Sequence, residues 1–396
     1  MKTLLVIFGI TGDLSSRKLL PALSHIVNDT SSKDLTVLGV SRREVDIRQL
    51  VIDATANEEL ARKTSLYTMD LAKLGDYKGL KEALKGYDVD QILMYLSVPP
   101  GAAAQIVDLL GEAGINEPKV HLLFEKPFGY DLASAQDFLA RTAEYFTEDQ
   151  IYRIDHYMAK EVAADVIRLR QDAQNHHHNW GQESIESVDI VASESIGIEG
   201  RAGFYEQTGA LRDFIQGHLM QLLSLVLMKM SPNFSDDQLP KYRLAALKDI
   251  NIALPENAVR AQYEGYQQEV DNIGSHTETF ASVGLSSVDE NWQNVALRLT
   301  SGKALADKSS YIKVTYKDGT EDVFEEGAMP SDGRRLDAYE RVLLEAISGR
   351  KTLFTSGEEV LRSWEILSNV QQAWDLDNAP LKQYKKGSTA ESILKS

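Results

Sequence analysis

The 396-residue sequence predicts two domains, an α/β domain built on a parallel sheet and then an α+β domain whose helices pack on a mostly antiparallel sheet. Three observations carry this. The length exceeds the roughly 250–300 residues at which single cores stop growing. Residues 1–148 alternate strand and helix patterns, as repeated βαβ units do. Residues 149–396 instead give long helical patterns first, then a run of short alternating segments.

Taken in order, the apolar run 3–8 breaks at Gly9 and Gly12 into a helical pattern near 15–28. A buried strand, a glycine turn and a helix start form the Rossmann-type layout, in which a pyrophosphate reaches bare backbone amides. Gly9 permits the tight turn, and Gly12 keeps a Cβ away from the phosphate. The first spacing is one residue longer than in G-x-G-x-x-G, and Ser15 takes the place of the third small residue. Leu35–Val40 reads as the second strand, and Arg42 and Arg43 follow it. An acid in that place accepts the ribose hydroxyls of NAD, whereas an arginine pairs with the extra 2′-phosphate, so NADP is the expected cofactor. Further strands fall near 91–97 and 119–124, with helices near 72–85, 101–113 and 131–146. Pro99, Pro100 and Gly101 end the 91–97 strand at its carboxyl edge, where open α/β sheets bind ligands.

The second domain opens at 151–161, Ile-Tyr-Arg-Ile-Asp-His-Tyr-Met-Ala-Lys-Glu, the densest cluster of charge and phenol in the chain. A helix starting there can direct amide N–H groups, His156 and Lys160 at one anion. A long amphipathic pattern from about 209 to 230 stops at Ser231-Pro232-Asn233, and Asp236–Leu254 has helical spacing. Alternating segments near 257–267, 276–285, 293–300 and 310–316 read as antiparallel strands, with a hairpin turn at Lys317-Asp318-Gly319-Thr320. Helices near 335–349 and 356–375 close the domain, and the tail after about Asp377 reads as loosely held.

Composition sets limits. A 43% hydrophobic and 26% charged chain is an ordinary soluble globule. The net charge of −17 argues against nucleic acid or an anionic membrane as partner, and makes a local cationic cluster more telling. No apolar run is long enough to span a bilayer, and the apolar start leads into a phosphate loop rather than a cleavage site. The sequence contains no cysteine, so disulfides, zinc thiolates and thiol nucleophiles are excluded. His176-His177-His178 sits in a polar Gln/Asn stretch and reads as a solvated loop rather than a metal site; no metal is expected.

Three segments, Gly9-Ile-Thr-Gly-Asp-Leu-Ser15, Glu125-Lys-Pro-Phe-Gly129 and Arg153-Ile-Asp-His-Tyr-Met-Ala-Lys-Glu161, occur in an order that resembles the glucose-6-phosphate dehydrogenase family. Glu199–Tyr205, Gly209–Leu219, Gly302–Lys308 and Leu336–Arg341 extend the resemblance, which spans residues 3 to about 375. It implies NADP-dependent oxidation of glucose 6-phosphate at C1 to the 6-phosphoglucono-lactone, the entry step of the oxidative pentose phosphate pathway. By the same resemblance His218 is the base for the C1 hydroxyl, Asp155 fixes its tautomer and stabilises its protonated form, and Lys126 reaches substrate and nicotinamide. Pro127 would sit at a backbone turn between the cofactor and substrate sites. His156, Tyr157 and Lys160 resemble the phosphate pocket; Glu194, Asp213, Lys303 and Lys308 match positions that contact the sugar. Gly9, Thr11, Gly12, Asp13 and Leu14, with Arg42 and Lys126, are the expected cofactor contacts. From residue spacing alone, Lys303 and Lys308 read almost equally well as exposed lysines of a hairpin.

The resemblance also implies a homodimer in the cytoplasm, but the sequence departs from the family. Between Val323 and Leu336 it has only a short link where the family carries further strands of its large sheet, Gly217 replaces an asparagine, and Ala159 replaces a glycine. Those strands serve dimer packing and, in some members, a second, structural NADP. Two other functions are compatible with parts of the sequence: a glucose–fructose oxidoreductase-like enzyme acting on another sugar, and a non-catalytic NADP-binding sensor. Arg-Ile-Asp-His-Tyr, which the former does not need, and intact Asp155, His218 and Lys126 weigh against them.

Overall fold

Apolar runs buried on both faces form the inner strands of a parallel sheet, and the part-exposed strand Thr64–Thr68 closes one edge. The computed structural model describes residues 1–28, 34–171, 179–230, 235–325 and 336–395. In chain order the strands are β1 (Thr3–Phe8), β2 (Leu35–Ser41), β3 (Thr64–Thr68), β4 (Gln91–Leu96), β5 (Val120–Phe124), β6 (Ile151–Ile154), β7 (Ile185–Ser193) and β8 (Ala258–Tyr263). They continue with β9 (Phe280–Leu285), β10 (Ala296–Gly302), β11 (Ser309–Tyr316), β12 (Glu321–Glu325), β13 (Phe354–Thr355) and β14 (Lys382–Tyr384). Every residue of β1, β4 and β6 is buried, as a strand covered by helices on both sides requires.

The described chain divides into two units, one formed by Met1–Phe128, Gln136–Ala159 and Arg334–Gly357, the other by the rest. The first unit holds a seven-stranded sheet of order β13-β6-β5-β4-β1-β2-β3, parallel except where β13 joins antiparallel to β6. The alternating strands and helices expected from the sequence are present. Two helices, Ile47–Thr55 and Glu58–Lys63, and the edge strand β3 are additional. Asp46 and Asn57 cap these helices, their side chains accepting from Gln49 N and Leu60 N at 3.0 Å.

The expected boundary at 148/149 falls before the last parallel strand, because β6 pairs with β5 from Leu122↔Ile151 onward. The chain also returns to this unit late. The helix Ala338–Ile347, which the sequence pattern had grouped with the second domain, packs on the helix Leu20–Ile26 and on the turn His156–Ala159. Val342, Leu343, Ala346 and Phe354 complete a core with Leu5, Ile7, Leu20 and Tyr152. Buried Arg153 pairs with Glu148 at 2.7 Å, and the same carboxylate accepts Gly357 N at 2.9 Å, fixing the returned segment beside β6.

The second unit holds a seven-stranded sheet of order β12-β11-β7-β10-β9-β8-β14. β7–β10 and β8–β14 are parallel, and the remaining neighbours are antiparallel. The four strands and the hairpin read from the sequence are present, the turn closing with Gly319 at φ +86°. The internal strand β7 went unread. The tail after Asp377 is not loose: β14 pairs with β8, the helix Ala390–Lys395 follows, and Tyr384 and Ile393 are buried.

A block of helix from Ala202 to Leu227 packs on β7, β9 and β10. Its last segment, Met220–Leu227, is buried at every residue. Arg243 and Glu359, both 0% exposed, pair at 2.8 Å beside it. His176–His178 lie outside the described residues, as does most of the short link between Val323 and Leu336. Among the described residues no helix is long and apolar enough to cross a membrane.

The Arg243–Glu359 pair gives a first prediction. Arg243→Met leaves a buried carboxylate without its guanidinium and should lower unfolding stability by about 3–5 kcal/mol, whereas Arg243→Met with Glu359→Leu should recover most of the loss. Urea unfolding of the two variants measures the difference, and equal losses would mean that the charge pairing contributes nothing.

Candidate active site

In the first unit the register of the sheet sets the glycine turn. Phe8 lies opposite Val40 and Leu96, so Gly9, Ser41 and Ser97 come next at one edge of the sheet. Gly9 N donates to Val40 O at 3.0 Å. Gly9 has φ +82°, and a Cβ there would lie 2.2 Å from Ser97 O, so only glycine fits. Ser15, fully buried, donates from its hydroxyl to Gly9 O at 3.0 Å and lies 3.3 Å from Ser97 Oγ. The third small residue of the fingerprint therefore locks the turn.

Gly12 N donates back to Gly9 O at 2.9 Å, and a wide π-helical turn, Ser15–Leu19, opens the following helix. A helix start with bare glycine amides fits a pyrophosphate. Thr11, Gly12 and Leu14 are half-buried and Asp13 is exposed, pairing with Arg17 at 2.7 Å. Arg42 and Arg43 are exposed just beyond β2; the Ala72 N–H chiefly lowers the Asp70 carboxyl, with Lys73 and, least, Arg42 adding to it, and Arg43 N donates to Ser41 Oγ at 3.1 Å.

At the end of β5 come Glu125, half-buried Lys126 and Pro127, joined to Lys126 by a cis peptide bond. Glu125 accepts a short hydrogen bond from the Tyr95 hydroxyl. Its carboxyl is pushed up to about 7, chiefly by burial; the Tyr95 bond opposes this, the nearby Asp155 charge reinforces it, and Lys126 counters it. Asp155, 2% exposed, accepts from Tyr157 N at 3.0 Å and so anchors the turn His156–Ala159. The rings of His156 and Tyr157 lie 5.2 Å apart. Lys126, Asp155, His156 and Tyr157 thus belong to one unit, the first two linked through their opposite effects on Glu125.

In the second unit Lys160 immediately precedes the helix Glu161–Gln171 and is half-buried. Lys303 is not the exposed hairpin lysine that spacing allowed. It is 1% exposed, ion-pairs with Glu194, and has its ammonium 5.1 Å from the Tyr205 ring and 5.8 Å from the Phe214 ring. Lys308 is exposed just before β11.

Asp213 and His218 ride on a π-helix, Leu211–Leu219. In an α-helix at about 100° per residue, positions five apart point about 140° away from each other; i→i+5 bonding instead brings them to one side. Asp213 and His218 are five apart. His218 is 5% exposed and its ring meets the Phe214 ring edge-on at 5.6 Å. Phe214 therefore touches both Lys303 and His218. Sequence reading missed Tyr95, Ser97, Tyr205, Phe214 and Glu278, because apolar or structural positions carry no signal of the charges they hold.

A glycine cradle suited to a nucleotide lies in one unit, and a histidine helix beside a caged lysine–carboxylate pair lies in the other. They define an NADP-dependent oxidoreductase acting on a CH–OH group. Residues 6–165 match the family model described as glucose-6-phosphate dehydrogenase, NAD binding domain, and residues 167–336 and 327–395 match that family's C-terminal domain. Glucose-6-phosphate 1-dehydrogenases of Gluconobacter oxydans and Chlamydia muridarum are 31% and 30% identical over 97% of this chain, and over 93% and 92% of their own lengths.

Among solved structures, the glucose-6-phosphate 1-dehydrogenase of Mycobacterium avium is 29% identical, with a TM-score of 0.84 over 99% of this chain and 96% of its own. A glucose-6-phosphate dehydrogenase in complex with its substrate glucose-6-phosphate has a TM-score of 0.90 at 24% identity, covering 100% and 97%, and shares the fold. The chain belongs to the glucose-6-phosphate dehydrogenase family. The C-terminal match breaks into two pieces around 327–336, the region of the short link.

The raised Glu125 carboxyl predicts a pH effect. An unperturbed glutamate ionises near 4.5, so between 4.5 and about 7 the folded chain keeps a proton that the unfolded chain has lost. Stability from Glu125 is therefore full below pH 4.5 and declines as pH rises to about 7. Glu125→Gln, which cannot ionise, should erase this decline, an increment of at most about 3 kcal/mol. Melting temperatures of both proteins from pH 4.5 to 8 test it; parallel curves would refute the assignment.

Arg42 gives another. If it holds the 2′-phosphate, Arg42→Ala should weaken NADP by about 1.5–3 kcal/mol and leave NAD almost untouched. Equal losses for both cofactors in equilibrium binding would make Arg42 structural, with Arg43 the next candidate.

Proposed function

We propose that this chain oxidises glucose 6-phosphate at C1 to the 6-phosphoglucono-lactone with NADP, the entry step of the oxidative pentose phosphate pathway. The observation that carries this reading is the desolvated Lys303–Glu194 pair caged by Tyr205 and Phe214, next to the helix of Asp213 and His218. Fixed donors and acceptors of this kind hydrogen-bond sugar hydroxyls without having to reorganise.

His218 takes the C1 hydroxyl proton, and Asp155 stabilises the imidazolium that results. NADP supplies the hydride acceptor, held by Gly9, Thr11, Gly12, Asp13 and Leu14 at the turn, by Arg42 at the 2′-phosphate and by Lys126 near the nicotinamide. His156, Tyr157 and Lys160 bind the 6-phosphate, and that remote binding energy orients C1. Glu194, Asp213, Lys303 and Lys308 contact the sugar. Nucleotide binding is assigned to residues 1–148 and substrate binding to residues 149–396. The working form is a cytoplasmic homodimer.

His218→Asn should lower kcat by about two to four orders of magnitude with NADP affinity nearly unchanged. A variant keeping more than about a tenth of the wild-type kcat would remove His218 from this role. Removing the 6-phosphate should lower kcat/KM at least about a hundredfold. Comparable turnover of free glucose would favour the broader sugar oxidoreductase class, and NADP binding without turnover of any sugar would favour a sensor.

A further inference from the structure

The π-helix that carries Asp213 and His218 begins at a break, and the break has an unusual cap. Gly209 interrupts the helix with φ +60° and ψ −178°, after which Ala210 and Leu211 present the first amides of the new segment. Neither Gly209 nor Ala210 has a side chain able to cap them, and the helix start bears no cap of its own. Glu278, 67 residues further on, supplies it: its backbone oxygen accepts Ala210 N at 3.0 Å and its Oε1 accepts Leu211 N at 2.8 Å. A Cβ at Gly209 would lie 2.4 Å from that Oε1, so the glycine gives the break and makes room for the carboxylate.

Glu278 is itself fixed by the sheet. The next residue, Thr279, donates its N–H to Ala261 O at 2.9 Å, takes Tyr263 N on its hydroxyl at 2.9 Å, and accepts Lys303 N at 2.9 Å. Burial pushes the Glu278 carboxyl up while the Leu211 amide that it accepts pulls it down, and through these hydrogen bonds one strand end registers both the histidine helix and the caged lysine. We propose that Glu278 is a positioning residue for catalysis, setting the phase of the π-helix so that Asp213 and His218 share one side. This rests on His218 being the base.

The test is a set of variants assayed at saturating sugar phosphate and NADP. Glu278→Leu removes the acceptor and should lower kcat at least about tenfold with the NADP dissociation constant unchanged. Glu278→Gln keeps an oxygen for Leu211 N and should hold kcat within about threefold of wild type. Glu278→Asp, one methylene short of the amide, should behave like the leucine variant, and decides the matter should Glu278→Leu not fold. Because Glu278 acts through His218, adding Glu278→Leu or Glu278→Asp to His218→Asn should cost less than about threefold more.

Wild-type kcat in Glu278→Asp, an equal loss in Glu278→Gln and Glu278→Asp, or full additivity with His218→Asn would overturn the proposal. If His218→Asn alone retains activity, the assignment of the base fails first, a result distinct from any of these.

Discussion

The parallel register of β1 with β2 and β4 is the constraint from which the nucleotide half of the molecule follows. Phe8, Val40 and Leu96 are level across the three strands, so the residues after each of them emerge together. That brings Gly9, Ser41 and Ser97 to one edge, and the close approach of Gly9 to Ser97 O then admits no side chain. Ser15 closes the arrangement by bonding both neighbours. A slip of one residue in β1 would turn every buried side chain to the other face and take the turn away from Ser97.

The second unit relies on a different device. Its site lies along a helix whose regular path is interrupted and rewound, and on a lysine whose charge is neutralised by a carboxylate and covered by two rings. Burying an ammonium is costly unless it is paired. Glu194 meets that need from the end of β7, while Tyr205 and Phe214 approach from the helices on either side of Gly209. Charge, aromatic faces and helix phase are thereby set by neighbouring positions in one unit.

Much of this was legible in the sequence because the physical rules involved are local. An apolar run ending in glycine, prolines at a strand's carboxyl edge and arginines after the second strand each signal their role through a few residues, and β1, β2, β4 and β5 follow them. The family resemblance supplied His218, Asp155 and the lysines, which no periodicity could single out. What escaped was non-local. β7 is half polar along its length, so nothing marks it as the internal strand between β10 and β11. The tail looked loose because its sequence is polar, yet a single tyrosine, Tyr384, reaches Lys303 O at 2.6 Å and pins it to the sheet. The pitch change at Leu211–Leu219 is invisible to a helical pattern that treats 209–230 as one amphipathic run, and the burial of Lys303 could not be told from an exposed hairpin by spacing.

The threefold segmentation of the first unit bears on the order of synthesis. β13 and the helix Ala338–Ile347 complete its sheet and core, yet they follow most of the second unit in the chain. A nascent chain of 160 residues therefore contains the whole nucleotide turn but leaves β6 as an open edge, with Leu20 and Tyr152 lacking their late partners. Domains released in sequence from the ribosome usually fold as they emerge. Here the first unit is complete only once residues 338–355 have emerged, and until then β6 stays an unpaired edge strand.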